Sequence, residues 1–214
     1  METRDTLDIT PWGPIIPAAP ATETAARILD AARARFATQG ITRTTMSELA
    51  ADAGISRKWL YRHFDNRDAV VRALIGRDAQ RVIDSVTALY TDANDPLGAM
   101  IDALTTVVEL LREDQLLRRL VETEPQALAP FLTTGAATLM RPAIEVTVGL
   151  LEQHFEMASH ENATVTAEAL IRLTLSAVLS EAATTDFDDP GQRRQFFAIA
   201  VSRLIVPPHT IKPS

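Results

Sequence analysis

Apolar residues recur every three or four positions over most of the 214-residue chain, which is the spacing of amphipathic helices. This spacing predicts a first helix over about 22–39, which ends where Gly40 supplies a C-terminal cap. Thr45 and Glu48 then have the spacing of a capping box, in which each side chain bonds the other residue's backbone N–H. A second helix is therefore predicted to begin directly after Thr45.

A third and a fourth helix follow at once. Gly54 supplies the turn after the second helix, and Ser56 is a typical N-terminal cap for a third. Asn66 is placed to cap a long fourth helix over about 67–90. Two helices joined by a short glycine-containing turn form a helix-turn-helix.

The rest of the chain also has helical periodicity, and no segment alternates with the period of a β-strand. Asp95 followed by Pro96 marks the start of a fifth helix, since proline is favoured at the first helical position. Further helices are predicted over about 114–121, 125–132, 135–157, 163–184 and 189–205. The predicted fold is all-α, with nine or ten helices in total.

Changes in composition divide the chain into four segments. Residues 1–20 hold four prolines without helical periodicity, and two prolines at 207 and 208 stop the last helix. The predicted organisation is a flexible N-terminal arm over 1–20, a helix-turn-helix domain over 21–68, a helical domain over 69–206 and a C-terminal tail over 207–214.

The composition argues against several classes of protein. No cysteine is present, which excludes disulfides and thiolate chemistry, and no run of about eighteen apolar residues could span a membrane. The four histidines lack the spacing of a metal-binding helix, and neither a phosphate-binding loop nor a serine nucleophile elbow occurs. We therefore expect a cytoplasmic protein with no membrane contact, no catalytic residue, no metal and no cofactor.

Charge is distributed unevenly along the chain. The net charge is −7, yet residues 21–76 hold nine Lys/Arg against six Asp/Glu, a local charge of +3. The remainder holds 12 bases against 22 acids, a charge of −10. A basic segment on an acidic protein favours a polyanion as the partner of that segment.

The third predicted helix carries the densest group of cations and aromatic rings. Ile55, Leu60 and Phe64 share one face and would anchor the helix to its neighbours. The outward residues are Arg57, Lys58, Trp59, Tyr61 and His63. Such a face suits the major groove of DNA, where side chains read base edges while cations and hydroxyls hold phosphates. The alternative is a solvated charged face without a partner.

Residues 24–75 closely resemble the DNA-binding domain of TetR-family transcriptional regulators, including the stretch RILDAARARFATQGITRTTMSELAADAGISRKWLYRHFDNRDAVV. The resemblance implies a double-stranded DNA operator as partner. It implies that Thr45 and Ser47 contact phosphates, as do Tyr61, His63 and Arg67. The complete set of candidate DNA-binding residues is Thr45, Ser47, Ser56, Arg57, Lys58, Trp59, Tyr61, Arg62, His63 and Arg67.

The residue at position 59 departs from the family pattern. Small residues are usual there, so the Trp59 ring must fill apolar space beside thymine methyl groups or fold back on the fourth helix. Arg57 and Lys58 are therefore the better candidates for guanine contacts.

Two later helices predict self-association. Those over about 135–157 and 163–184 are apolar on more than one face, so each needs two neighbours. A second subunit is the simplest second neighbour. The resemblance implies a homodimer formed through the last two helices, over about 163–184 and 189–205.

The resemblance further implies a helical domain that binds a small-molecule effector. The candidate ligand-binding residues, which could equally be plain core, are Met100, Leu104, Val107, Val108, Leu111, Phe131, Leu139, Ile144, Val148, Leu151, His154 and Phe155. These walls favour an apolar or amphipathic molecule. The expected function is that of a dimeric repressor released from a pseudo-palindromic operator by this ligand. The alternative is a DNA-binding activator or architectural regulator without an effector.

Overall fold

The computed structural model describes residues 22–90, 94–181 and 183–205, so the predicted arm and tail lie outside the described residues. Within these ranges the chain forms ten α-helices, one short 3-10 helix over Ala88–Tyr90 and no strand, which confirms the predicted all-α fold. The helices are α1 Glu23–Gln39, α2 Met46–Asp52, α3 Arg57–His63, α4 Arg67–Thr87, α5 Pro96–Glu113, α6 Gln115–Thr123, α7 Pro125–Leu132, α8 Ala136–His154, α9 His160–Leu179 and α10 Pro190–Ile205. None of these helices is both long and apolar enough to cross a membrane.

Side-chain caps explain where α2, α3 and α4 begin. The Thr45 hydroxyl accepts the Glu48 N–H at 3.3 Å, and the Glu48 carboxylate accepts the Thr45 N–H at 2.8 Å, which completes the predicted capping box. Ser56 accepts the N–H three residues later at 3.2 Å, and Asn66 accepts that of Ala69 at 2.9 Å. Each predicted cap is therefore confirmed at the level of atoms.

Backbone conformation explains where several helices end. Gly40, with φ of 85°, ends α1, and Gly54, with φ of 64°, makes the turn between α2 and α3. Both angles lie in the left-handed region that favours glycine. The α9 helix ends at Leu179, five residues before its predicted end, because Ser180 is extended with φ −101° and ψ 148°.

The described residues form two compact units, which we call the head unit and the body unit. The head unit comprises residues 22–81 and 113–139, so it holds α1–α3, most of α4, and α6 and α7. Its core combines Phe36 and Leu60 with Leu116, Leu120 and Leu128 from the second segment. The functional division of the chain at residues 68 and 69 stays a prediction.

The body unit comprises residues 82–90, 94–112, 140–181 and 183–205. Fully or nearly fully buried side chains come from α5, α8, α9 and α10, among them Val108, Leu151, Leu170, Phe197 and Val201.

An ion pair and a buried arginine hold the segment before α10 in the body unit. Arg112 on α5 forms two hydrogen bonds to the Asp188 carboxylate, at 2.8 and 2.9 Å, and a third to the carbonyl of Ala177 at 3.1 Å. The hydrogen bonds to Asp188 raise the pKa of Arg112, against the opposing effect of partial burial. Arg193, only 4% exposed, donates to the carbonyl of Phe187 at 2.6 Å.

Candidate nucleic-acid interface

The α3 helix is anchored by one face and exposed on the other. Leu60 is completely buried and Phe64 is 5% exposed, as the sequence predicts for the anchoring face. Trp59 and Tyr61 are 42% and 43% exposed, so two aromatic rings are accessible on the opposite side of the helix. The remaining exposed side chains on this helix are those of Arg57, Lys58 and Arg62, while His63 is half-buried.

The Trp59 ring lies against side chains of its own helix. The Arg62 guanidinium carbon lies 4.8 Å from the Trp59 ring centroid, within range of a cation–π interaction. The His63 ring meets the same indole edge-on, with centroids 5.8 Å apart and planes at 75°. The three side chains therefore form one preassembled cluster, and Trp59 positions a cation as well as exposing a ring.

The start of α2 presents Thr45 and Ser47 at the surface. The Thr45 hydroxyl donates to the Glu48 carboxylate at 2.7 Å, and this bond, followed by the Thr45 backbone N–H bond, lowers the pKa of Glu48. The Thr45 hydroxyl is thus held in a fixed orientation by the capping box.

Arg67 is half-buried and bonds to the loop between α1 and α2. Its guanidinium donates to the carbonyl of Thr42 at 2.9 Å and to that of Thr44 at 3.2 Å. The sequence predicts only a phosphate contact for this residue, which stays a prediction. The structure adds that Arg67 connects the start of α4 to the loop that leads into Thr45.

The same loop has a second partner that sequence reasoning missed. The buried Glu124, between α6 and α7, accepts the Thr42 N–H at 2.9 Å and the Thr42 hydroxyl at 2.7 Å. Burial alone would raise the pKa of Glu124, but the hydrogen bonds from Thr42, the charge of Arg119 and a hydrogen bond from Ile41 together outweigh it, and the pKa is lowered. The sequence around Glu124 indicates only that a helix begins at Pro125. It gives no sign that Glu124 bonds to Thr42, because the two residues are 82 positions apart.

Three arginines of α1 are used inside the head unit. Arg27 donates to the carbonyl of Ala53 at 2.7 Å, and Arg35 pairs with the carboxylates of Glu48 and Asp52 on α2. Arg33 bridges two further carboxylates, those of Asp78 on α4 and Asp114 before α6. Three of the nine Lys/Arg in residues 21–76 therefore stabilise the fold of the head unit. By contrast, Arg57, Lys58 and Arg62 on α3 are exposed.

The candidate ligand-binding residues separate between the two units. Phe131 packs against the head unit's core, and Leu139 also belongs to that unit. The other ten lie in the body unit, where Met100, Leu104 and Val108 are buried on α5. The assignment of any of them to a ligand stays a prediction.

Aliphatic side chains are exposed on the helices predicted to form a dimer. Val165 on α9 is 63% exposed, and Ile199 and Leu204 on α10 are 59% and 37% exposed. These exposed aliphatic side chains lie on the two helices through which the sequence resemblance implies a homodimer.

Comparison with known protein families identifies both parts of the chain. Residues 28–74 match the family described as bacterial regulatory proteins, tetR family. Residues 95–189 match the family described as bacterial tetracyclin repressor, C-terminal domain. The first match contains α2 and α3 with their caps, and the second contains α5–α9.

Individual relatives agree with these families. An uncharacterized HTH-type transcriptional regulator of Mycobacterium tuberculosis is 35% identical over 94 residues, 44% of this chain and 46% of that protein. The chain thus spans about half the length of this curated relative. The regulator AlkX of the same species is 28% identical over 185 residues, 84% of this chain and 82% of that protein.

A solved structure has the same fold. It is the TetR family repressor AlkX from Dietzia sp., implicated in biodegradation of n-alkanes. It superposes with a TM-score of 0.65 and 21% identity, covering 86% of this chain and 96% of that one.

Proposed function

The chain belongs to the TetR family of bacterial transcriptional regulators, and we propose that it is a dimeric repressor that a small molecule releases from its operator. The exposed face of α3 carries this proposal. Its cations and rings stand on a short helix whose opposite face is fully anchored by Leu60, so the face is rigidly presented. In this proposal Arg57 and Lys58 contact base edges, while Tyr61 and His63 contact phosphates.

The proposed dimer forms through α9 and α10. Covering Val165, Ile199 and Leu204 removes apolar surface from water, which stabilises association by about 25 cal/mol per Å². A two-fold dimer also has two copies of α3, and these can enter successive major grooves on one face of a duplex. A pseudo-palindromic operator follows from that symmetry, and the protein acts in the cytoplasm, where bacterial DNA lies.

The proposed effector is an apolar or amphipathic small molecule bound within the body unit. The candidate walls on α5 and α8 are mainly aliphatic, which favours ligands that bury hydrocarbon.

Selection from a random-sequence duplex library tests operator binding. The wild-type protein should enrich a pseudo-palindrome, with log K falling by about 0.9 per log unit of salt for each phosphate contacted. Arg57→Ala should weaken or relax that selection, whereas the control Arg141→Ala, at an exposed position on α8, should leave it unchanged. Enrichment of no sequence by the wild-type protein would refute the proposal.

Reciprocal titration tests the effector. Decanoic acid is a suitable amphipathic probe, titrated into the protein with and without the selected duplex. By linkage, the factor by which the probe lowers duplex affinity must equal the factor by which the duplex lowers probe affinity. A hundredfold release corresponds to about 2.7 kcal/mol of coupling. Equal probe affinity in both titrations would contradict release by this class of ligand.

A further inference from the structure

The loop between α1 and α2, residues 40–45, is held from two sides by side chains distant in sequence. Arg67 binds the carbonyls of Thr42 and Thr44, and Glu124 binds the N–H and hydroxyl of Thr42. The loop ends at Thr45, which caps α2. We propose that Glu124 is a positioning residue for DNA binding, which fixes this loop so that Thr45, Ser47 and Arg67 are placed to meet phosphates. This inference rests on the proposed function.

The first support is the way Glu124 uses its carboxylate. Glu124 occupies the N-cap position of α7, yet its side chain makes no capping hydrogen bond to that helix. One carboxylate oxygen instead accepts both donors of Thr42, and the Ile41 N–H contributes a further hydrogen bond that lowers the pKa. Burial would oppose ionisation, and the hydrogen bonds from the loop, together with the charge of Arg119 on α6, stabilise the ionised carboxylate.

The second support is the glycine beside the carboxylate. A Cβ on residue 40 would overlap Oε1 of Glu124, so any side chain there must displace the carboxylate. The φ of Gly40 is 85°, which also favours glycine. The end of a flexible side chain can usually move aside at little cost in energy. Movement of the Glu124 carboxylate, however, would break its hydrogen bonds to Thr42. The absence of a side chain at position 40 is thus part of the Glu124 site.

The third support is that three predicted phosphate contacts depend on one loop. Thr45 is its last residue, Ser47 follows in the first turn of α2, and the Arg67 guanidinium bonds its carbonyls. A displacement of the loop would move or reorient all three together.

Glu124→Gln tests the inference, with Glu122→Gln as the matched control. The introduced amide keeps the shape of the carboxylate and one oxygen that can still accept from Thr42, but it removes the negative charge and replaces the second oxygen with an N–H₂ group, which cannot accept a hydrogen bond. Glu122 is exposed two residues earlier on α6, so its substitution makes the same charge change outside the site. Thermal unfolding confirms that both variants fold.

Two measurements on the full chain separate a positioning role from a merely structural one. In DNA-free protein, exchange of the Thr42 amide should become about tenfold faster in Glu124→Gln, because a hydrogen bond to a neutral amide oxygen is weaker than one to a carboxylate. Affinity for a duplex selected by the wild-type protein should fall about tenfold. Affinity for a random-sequence duplex should fall by the same factor. The slope of log K against the logarithm of the salt concentration should become shallower by about one. The control should change none of these.

Gly40→Ala supplies a second test through a double-substitution cycle with Glu124→Ala. The loss of stability caused by Gly40→Ala should be smaller when Glu124 is replaced by alanine, because the overlap with the carboxylate is gone. Gly54→Ala, at the other positive-φ glycine, should have the same cost in both backgrounds.

The outcomes are distinguishable. Unchanged Thr42 exchange in Glu124→Gln would overturn the inference, and so would faster exchange with unchanged affinity for both duplexes. Failure of the proposed function would look different, since the wild-type protein itself would select no duplex, and the positioning role would fall with it.

Discussion

The exposed surfaces of α3 and of the α9–α10 pair differ in how far each is completed by its own chain. On α3, the Trp59 ring is already covered in part by Arg62 and His63, so its apolar area carries polar partners. On α9 and α10, Val165 and Ile199 are about 60% exposed and have no polar atoms to offer water. The first surface is stable in water and suited to a polyanion, whereas the second gains most from being covered by apolar atoms. The rings on α3 thus have polar partners on their own helix, whereas the aliphatic side chains on α9 and α10 lie against water and are the ones proposed to meet a second subunit.

The largest expected effect is on the α9–α10 surface. Ile199→Asp should dissociate the dimer by a factor of at least about a thousand, because two-fold symmetry places the substitution twice in the interface and each buried unpaired charge costs about 3–5 kcal/mol. Sedimentation velocity over a concentration series measures this, and duplex affinity should fall with it.

Leu110→Asp is the matched control for that prediction. Leu110, on α5, is also aliphatic and 41% exposed, but it lies outside the two helices proposed as the interface. It should leave the dimer intact. If Leu110→Asp dissociated the dimer as strongly as Ile199→Asp, the result would not support α9 and α10 as the interface.

The next effect concerns base reading by α3. Arg57→Ala or Lys58→Ala should relax base preference by about 1–3 kcal/mol at the contacted position, where the contact is bidentate. Tyr61→Phe should instead weaken all sequences alike, since its hydroxyl is assigned to a phosphate. Repeating the duplex selection with each variant separates the two patterns. A changed sequence preference in Tyr61→Phe alone would show that the assigned roles are reversed.

A smaller effect is expected from the Trp59 cluster. Trp59→Ala should lower duplex affinity about two- to fivefold, because Arg62 loses a cation–π interaction of about 0.5–1 kcal/mol that orients it. Fluorescence anisotropy with labelled duplex, on Trp59→Ala, Arg62→Ala and the double variant, gives the coupling. If Trp59→Ala lowers duplex affinity by the same factor in the Arg62→Ala background as in the wild type, the Trp59 ring itself contacts DNA.

The smallest effect is one of pH on the capping box. Hydrogen bonds from Thr45 lower the pKa of Glu48, so the stability that Glu48 contributes is complete above its unfolded pKa, about 4.3, and is lost as pH falls through the lower folded value. The difference in Tm between wild type and Glu48→Gln should therefore narrow below about pH 4. The same comparison in a Thr45→Ala background should show a much weaker pH dependence.

Local features of the head unit were predictable from the sequence because their partners are neighbours in the chain. Thr45 and Glu48 are three residues apart, as are Asn66 and Ala69, and these short spacings leave few alternative geometries. The inward direction of Leu60 and Phe64 follows from helical periodicity in the same way.

Features that depend on distant residues could not be predicted. Glu124 and Thr42 are 82 positions apart, and periodicity contains no information on which carboxylate meets which loop. Arg33, on α1, gives no sign in the sequence that its partners are Asp78 and Asp114. The end of α9 was predicted too late because no glycine or proline follows Leu179 before Pro190, so the local sequence does not show that the backbone becomes extended at Ser180.

The head unit's construction from two separate chain segments has a consequence for how the protein folds during synthesis. The helix-turn-helix leaves the ribosome long before Leu116, Leu120 and Leu128, which complete its core. Until residue 139 has been made, the apolar surfaces that those leucines cover stay open to water and to chaperones. Contacts between such distant segments also slow folding, because the intervening chain must be closed into a loop first. Newly made protein therefore acquires a complete DNA-binding head only after more than half of the chain has been translated.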